Sequence, residues 1–309
     1  MKKIDETIRR LANSKDFQSR YETLKRNIIN DPYVKDFLSK NKEVITSNMV
    51  DKSLNKLNEY ISQSKECEGC TSLESCKNML QGYTPLLTVS GNSIDIYYEK
   101  CPRKVVSDER KKQERLINSI YVPKEILKAS LGDIEIDKGR IKAIQYAKDF
   151  VRNYSSEEKQ KGLYLHGAFG TGKSFLLGAI ANELAKKQVA SLIVYVPEFF
   201  REMKNSIGDN NLNVKLDLIK KAPILMLDDL GAETMSSWAR DEILGTILQF
   251  RMMEELPTFI SSNFNFQDLQ HHLTYSQRGE EEEIKAARIM ERIKFLTIPV
   301  LVEGPNRRK

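Results

Sequence analysis

The chain has 309 residues, 40% of them hydrophobic and 30% charged, with a formal net charge of +6. That length accommodates two domains and a sizeable core, and no uninterrupted apolar run is long enough to cross a bilayer. The opening Met1-Lys2-Lys3-Ile4-Asp5-Glu6 lacks the apolar stretch of a signal peptide, so a cytoplasmic chain without a membrane partner is expected. The mild basic excess permits nucleic-acid contact but falls short of the footprint of a dedicated DNA-binding domain.

From Asp5 to about Ser64 apolar residues recur at helical spacing, among them Leu11, Tyr21, Leu24, Ile28 and Phe37, and Asp31-Pro32 reads as a cap with a first-turn proline. A small helical unit is expected there. Next come Cys67-Glu68-Gly69-Cys70 and Cys76, then alternating Leu87-Thr88-Val89 and Ile94-Asp95-Ile96 around Ser90-Gly91-Asn92, which predicts a hairpin, and Cys101-Pro102 closes the segment. Disulfides are rare in the cytosol, so Cys67, Cys70, Cys76 and Cys101, the chain's four cysteines, point to structural zinc. The second pair is widely spaced, which leaves open that Cys76 is a bystander and that water or another side chain completes the set. The βαβ setting of a redox Cys-x-x-Cys is missing. From Arg103 to Arg115 the chain is mostly charged and rich in lysine and arginine, a composition expected of a tether. Three regions follow: a helical, zinc-binding domain over 1–104, a charged linker over 105–131 and a third region over 132–309.

The third region opens with the apolar run 162–166 and then Gly167-Ala168-Phe169-Gly170-Thr171-Gly172-Lys173-Ser174, followed by the apolar-periodic 175–184. This is a complete phosphate-binding loop between a strand and a helix. Its glycines let backbone N–H groups turn toward phosphate oxygens, Lys173 brings a cation to the β- and γ-phosphates, and the Ser174 hydroxyl can reach Mg2+. A second strand is expected over 191–196, followed by the helical start Pro197-Glu198-Phe199-Phe200-Arg201-Glu202-Met203-Lys204. Then Pro223-Ile224-Leu225-Met226-Leu227 delivers Asp228 and Asp229 to the carboxyl end of a buried strand, where Asp228 can hold Mg2+ and Asp229 can orient or polarise the attacking water. Pro257 to Ser262 ends in Asn263, placed to hydrogen-bond the γ-phosphate or that water, and a last strand is expected over 296–302. Five strands with helical patterns between them predict an α/β P-loop core. No guanine-reading Asn-Lys-x-Asp is present, and this absence together with the resemblance given below makes adenine the expected base and ATP the expected nucleotide. His166, His271 and His272 show neither nucleophile nor metal spacing.

The order of these motifs, with Asp228-Asp229, Ser261-Ser262-Asn263 and Ala287-Arg288-Ile289-Met290-Glu291-Arg292, resembles the AAA+ ATPases of the DnaC/IstB type. Over nearly its full length, including the cysteine-bearing segment and the stretch His271 to Glu280, the chain resembles the replicative helicase loaders of Gram-positive bacteria. The resemblance implies an AAA+ core, a five-stranded parallel sheet flanked by helices, behind a helicase-gripping N-terminal domain. It also implies ATP hydrolysis that drives loading of the hexameric helicase onto single-stranded DNA, and because Asp229 stands where many AAA+ proteins carry a glutamate, one methylene longer, that hydrolysis is expected to be weak. Other primosome proteins, and further copies of the chain on the helicase, would be partners. It places an arginine acting in trans at Arg292 first, or at Arg288. It places a strand-contacting helix where Arg201 or Lys204 would meet phosphate beside a base-stacking Phe199 or Phe200, although aromatics in such a pattern are more often simply core. The usual helical lid is not expected after Val302, leaving Arg307 or Arg308 as a weak substitute for a lid-borne sensor arginine. An IstB-like ATPase acting with a transposase shares the core but would not need the cysteines, and a nucleotide-gated adaptor with negligible turnover is a third reading.

Overall fold

The structure, a computed structural model, describes residues 15–65, 70–135, 137–155, 158–205, 211–233, 235–275 and 282–307. Leu11, Cys67, Arg308 and residues 276–280 of the family-like stretch lie outside these residues. The chain divides into two compact units, Met1–Arg110 and Lys111–Lys309.

In the first unit Asp31 Oδ1 accepts from the amides of Tyr33 (3.0 Å) and Val34 (3.2 Å), and Pro32 sits in the first turn, where a missing N–H costs nothing. Those features separate the helix Lys15–Ile29 from Pro32–Lys40. Two shorter helices follow, Ser47–Lys52 and Leu54–Ile61. The expected hairpin is β1 (Tyr83–Ser90) paired antiparallel with β2 (Ser93–Lys100) about Gly91-Asn92. Ile28, Val34, Leu54, Leu57 and Ile94 form the core, and the Ile94 amide donates to Ser53 Oγ at 2.8 Å, tying hairpin to helix. Ile28 is buried as its periodicity predicts, whereas Tyr21 and Leu24 are exposed.

The segment expected as a tether is structured. Pro102–Leu116 is a helix with no buried residue. Lysine, arginine and glutamate are good helix formers, and Lys104 pairs with Asp108 at 2.9 Å one turn on, so high charge here marks exposure and not disorder. Beyond it, β3 (Ile117–Ile120) and the short helix Lys124–Leu127 belong to the second unit. Asn182 Nδ2 fastens this stretch by donating to Leu127 O (2.9 Å) and Ala129 O (3.0 Å).

The second unit is built on β3, β4 (Gly162–His166), β5 (Ser191–Tyr195), β6 (Ile224–Asp228), β7 (Thr258–Ser262) and β8 (Thr297–Leu301). Its sheet has six strands in the order β3-β5-β6-β7-β4-β8, every pairing parallel. The expected five are all present; the sixth is β3, an edge strand beside β5. Pro299 sits in β8, the other edge, where a missing donor is tolerated. Helices cover both faces, as a parallel sheet requires. Phe199, Ile247, Ile289 and Ile293 pack on one face and Ala147, Leu177 and Ile180 on the other. Phe199 and Phe200 are therefore core residues at 1% and 7% exposure, which removes them as base-stacking groups. Gly162 begins β4 because an added Cβ would meet Thr258 O at 1.9 Å. No described helix is long and apolar enough to cross a membrane.

Candidate nucleotide site

The chain passes from β4 to β5 on one side and returns to β8 on the other, so β4 lies at the point where the strand order reverses. Ligands of open α/β sheets bind at the carboxyl ends of strands at such a point. β4 runs there into the loop 167–174 and the helix Lys173–Lys186. Gly167, Gly170 and Gly172 have φ of 142°, 75° and 94°, backbone that residues with a Cβ resist, and Thr171 Oγ1 closes the turn on Ala168 O at 3.0 Å. The amides at the helix start then form an anion cradle. Ala168 and Phe169 complete the loop, with the Phe169 side chain exposed.

Lys173 is buried, and its Nζ donates to Gly167 O, Ala168 O and Asn263 Oδ1, each at 2.8 Å. Asn263 Nδ2 in turn donates to Asp229 Oδ1 at 3.1 Å. The loop lysine and the second carboxylate of β6 are thus linked through the residue that ends β7. Asp229 has a φ of 62°, left-handed backbone that costs a non-glycine residue about 1 kcal/mol. Its amide donates to Ser261 Oγ at 2.9 Å, holding that turn. Asp228 is buried behind it and accepts from Ser261 Oγ at 2.5 Å. Burial pushes the Asp228 carboxyl upward, while the hydroxyls of Ser261 and Ser174 and the Lys173 charge pull it down. Ser174 and Asp228 are adjacent hard-oxygen donors, the chemistry that Mg2+ takes.

A cavity of about 400 Å³ is lined by Gly170, Gly172, Lys173, Ser174, Asp229 and Asn263, with Ile126 and Ile134 as apolar wall. The residues predicted around the phosphates therefore converge. The predicted arginines differ among themselves: Arg292 Nη1 donates to Gly245 O at 2.9 Å within its own unit, Arg288 is exposed, and Arg307 lines the cavity. Arg201 and Lys204 are exposed on the helix Val196–Asn205. Sequence patterns missed Arg140, which also lines the cavity, and Glu233 in the turn after β6. Burial pushes the Glu233 carboxyl up to about 7; the Asp229 charge adds to this and the amides of Glu233 and Gly231 oppose it.

In the first unit Cys70, Cys76 and Cys101 line one cavity of about 160 Å³. The Gly82 amide donates to Cys76 Sγ at 3.4 Å, and the Cys101 amide to Gly82 O at 2.9 Å. Among the described residues no three His, Cys, Asp or Glu side chains are arranged to hold a metal.

Comparison with known proteins supplies the family. Residues 1–98 match the model of the primosomal protein DnaI N-terminus, and residues 141–270 that of the bacterial DnaA ATPase domain. The replicative helicase loader DnaI of Bacillus subtilis (strain 168) is 52% identical over 309 residues, covering 100% of this chain and 99% of its own. A crystal structure of DnaI is 60% identical with a TM-score of 0.57, covering 64% of this chain and 100% of that one. A primosome component from Streptococcus pyogenes serotype M3, itself described as putative, is 38% identical with a TM-score of 0.54 and covers 64% and 99%. With an AAA+ type core behind a DnaI N-terminal region, and identity to a loader from end to end, the chain belongs to the DnaI family of replicative helicase loaders.

Proposed function

We propose that this chain binds Mg2+-ATP in the cavity at β4 and uses it to place the hexameric replicative helicase on single-stranded DNA, as part of the primosome. The observation that carries the proposal is the 52% identity to a helicase loader across both units. The transposition alternative is not favoured, because the DnaI N-terminal match covers residues 1–98, a region that alternative would not need.

Within the site, the loop 167–174 holds the phosphates and Lys173 supplies a cation to the β/γ end. Ser174 and Asp228 would hold Mg2+, which when bound draws charge from the phosphate oxygens. Asp229 orients the attacking water, and Asn263 holds Asp229 and Lys173 in one register. Asp229 is a short carboxylate on a strained turn, which supports slow intrinsic hydrolysis. Arg292 or Arg288 reaches a neighbouring copy's nucleotide when copies assemble on the helicase; the Gly245 hydrogen bond holds Arg292 within its own unit, and exposure favours Arg288 for the role. Arg201 and Lys204 contact DNA through phosphate alone, since the neighbouring aromatics are buried.

The region 1–104 grips the helicase and is stabilised by Zn2+. What supports this is that Cys70, Cys76 and Cys101 line one cavity and Gly82 donates to a thiol sulfur; as placed the three thiols are not arranged around a metal, so binding Zn2+ would have to draw them together with Cys67. The test is co-purification of the full chain with the replicative helicase, with the mass of the complex measured with and without ATP. A stoichiometric complex is expected; failure to capture helicase in either condition would refute the loader reading. ATP hydrolysis measured with helicase and single-stranded DNA separates a loader with turnover from a nucleotide-gated adaptor.

A further inference from the structure

Part of the wall of the nucleotide cavity comes from two segments without a recognisable motif. One precedes the helix Ile141–Asn153 and supplies Asp133, Ile134, Glu135 and Arg140; the other is the tail after β8, which supplies Arg307. The tail is sewn to both the phosphate loop and the first segment. The Glu303 amide donates to Gly139 O at 3.1 Å and the Arg307 amide to Gly170 O at 3.0 Å. Arg307 Nη2 donates to Asp137 Oδ2 at 3.0 Å, and its Nη1 pairs with Glu135. A Cβ on Gly170 would stand 1.9 Å from Asn306 Oδ1, so the loop glycine is shaped to the tail as well as to phosphate.

Arg140 is the buried member of this cluster, at 6% exposure. Its Nε donates to Asp137 Oδ2 at 3.1 Å, which anchors the guanidinium but leaves most of its donors over. Nη2 is buried and has no hydrogen-bond partner among the described residues. Nη1 stands 3.4 Å from where a Cβ on Gly172 would lie, so the group borders the phosphate loop itself. Arg307 shares Asp137 and also pairs with Glu135, so the two arginines are matched by two carboxylates; what Arg140 lacks among the described residues is an acceptor for Nη2. A buried arginine N–H without an acceptor is costly, and the ligand chemistry that removes the cost is an oxyanion.

We propose that Arg140 contacts the phosphate chain of the bound nucleoside triphosphate, and that the tail 303–307 is a strap holding Arg140 in place through Asp137. The strap would then form one wall of the pocket. The proposal rests on the cavity being the ATP site. Its competitor is an ion pair that serves the fold alone.

Calorimetric titration of the full chain with ATP, ADP and adenosine, each with a thermal melt, decides between them. Arg140→Gln is expected to lose about tenfold or more in affinity for ATP and ADP and less than twofold for adenosine, because only phosphate is lost as a partner. Equal ATP affinity in parent and variant overturns the proposal, and so does an equal loss for ATP and adenosine. Where Arg140→Gln does not fold, Arg140→Lys keeps the charge but not the planar fork and decides the same way: a threefold or greater loss confined to the phosphorylated ligands supports the contact, and parity overturns it. A parent chain that binds none of the three refutes the ATP site itself, an outcome distinct from any difference among the variants.

Discussion

Asn263→Ala isolates the link between the loop lysine and the carboxylate assigned to the attacking water. Asn263 accepts from Lys173 Nζ at 2.8 Å and donates to Asp229 Oδ1 at 3.1 Å, so truncation breaks both contacts at once. Lys173 keeps Gly167 O and Ala168 O, each at 2.8 Å, and its placement should survive. Asp229 loses the side-chain donor that orients it. A hydrogen bond to a charged group is worth about 1.5–3 kcal/mol. Lost from the transition state alone, that is roughly ten- to a hundredfold in kcat, with ATP affinity changed by less than about threefold. Asn263→Asp should be no faster, because it restores an acceptor for Lys173 while setting a second carboxylate against Asp229. Steady-state phosphate release beside a nucleotide titration measures both quantities. A folded Asn263→Ala chain that hydrolyses ATP at the parental rate would show that Asp229 is not positioned through Asn263.

Three further outcomes follow from particular groups. Glu233 has a folded pKa of about 7 against an ordinary 4.5, so its favourable contribution is complete below about 4.5 and lost as pH rises through 7. Glu233→Gln should therefore stabilise the chain at pH 8, by at most roughly 3 kcal/mol, and much less at pH 5; an equal effect in urea melts at both values contradicts this. Arg251 is fully buried and donates to Lys220 O, Ala222 O, Pro257 O and Thr258 Oγ1, so Arg251→Met strands buried acceptors and should cost about 3 kcal/mol or more; a loss below about 1 kcal/mol in the same melts would mean those carbonyls find other partners. Cys101→Ser should abolish stoichiometric zinc and helicase capture while sparing ATP binding, and elemental analysis of the parent without about one zinc per chain removes the metal reading.

The sheet was legible because each strand of the expected core is a short apolar run, and the residues proposed for the phosphate end were legible because they stand at or just after the ends of β6 and β7. His166, Asp228 and Ser262 end β4, β6 and β7, and both Asp229 and Asn263 follow directly. β3 escaped notice for the opposite reason: Ile117 and Ile120 are its only large apolar residues, and they follow a charged run. That run was misread because composition reports solvation, while helix propensity and i,i+4 pairing decide whether exposed backbone is ordered. Phe199 and Phe200 stand beside Arg201 in the sequence, but the helix turns them into the core and the arginine outward to Glu198 at 2.8 Å. Arg140 carried no local signal at all. Its place at the loop depends on Asp137, Gly172 and a tail more than 160 residues further along the chain, and only the folded arrangement brings these together.

Loading itself is measured by mixing the full chain with the hexameric helicase and circular single-stranded DNA and counting the helicase retained on the DNA circle with and without ATP, for the parent and for Lys173→Ala. If the cavity at β4 is the ATP switch of a loader, the parent retains helicase on the circle in an ATP-dependent way, and Lys173→Ala still captures helicase but leaves it off the DNA. Retention that is the same without ATP, or unchanged in Lys173→Ala, would contradict an ATP-driven loader.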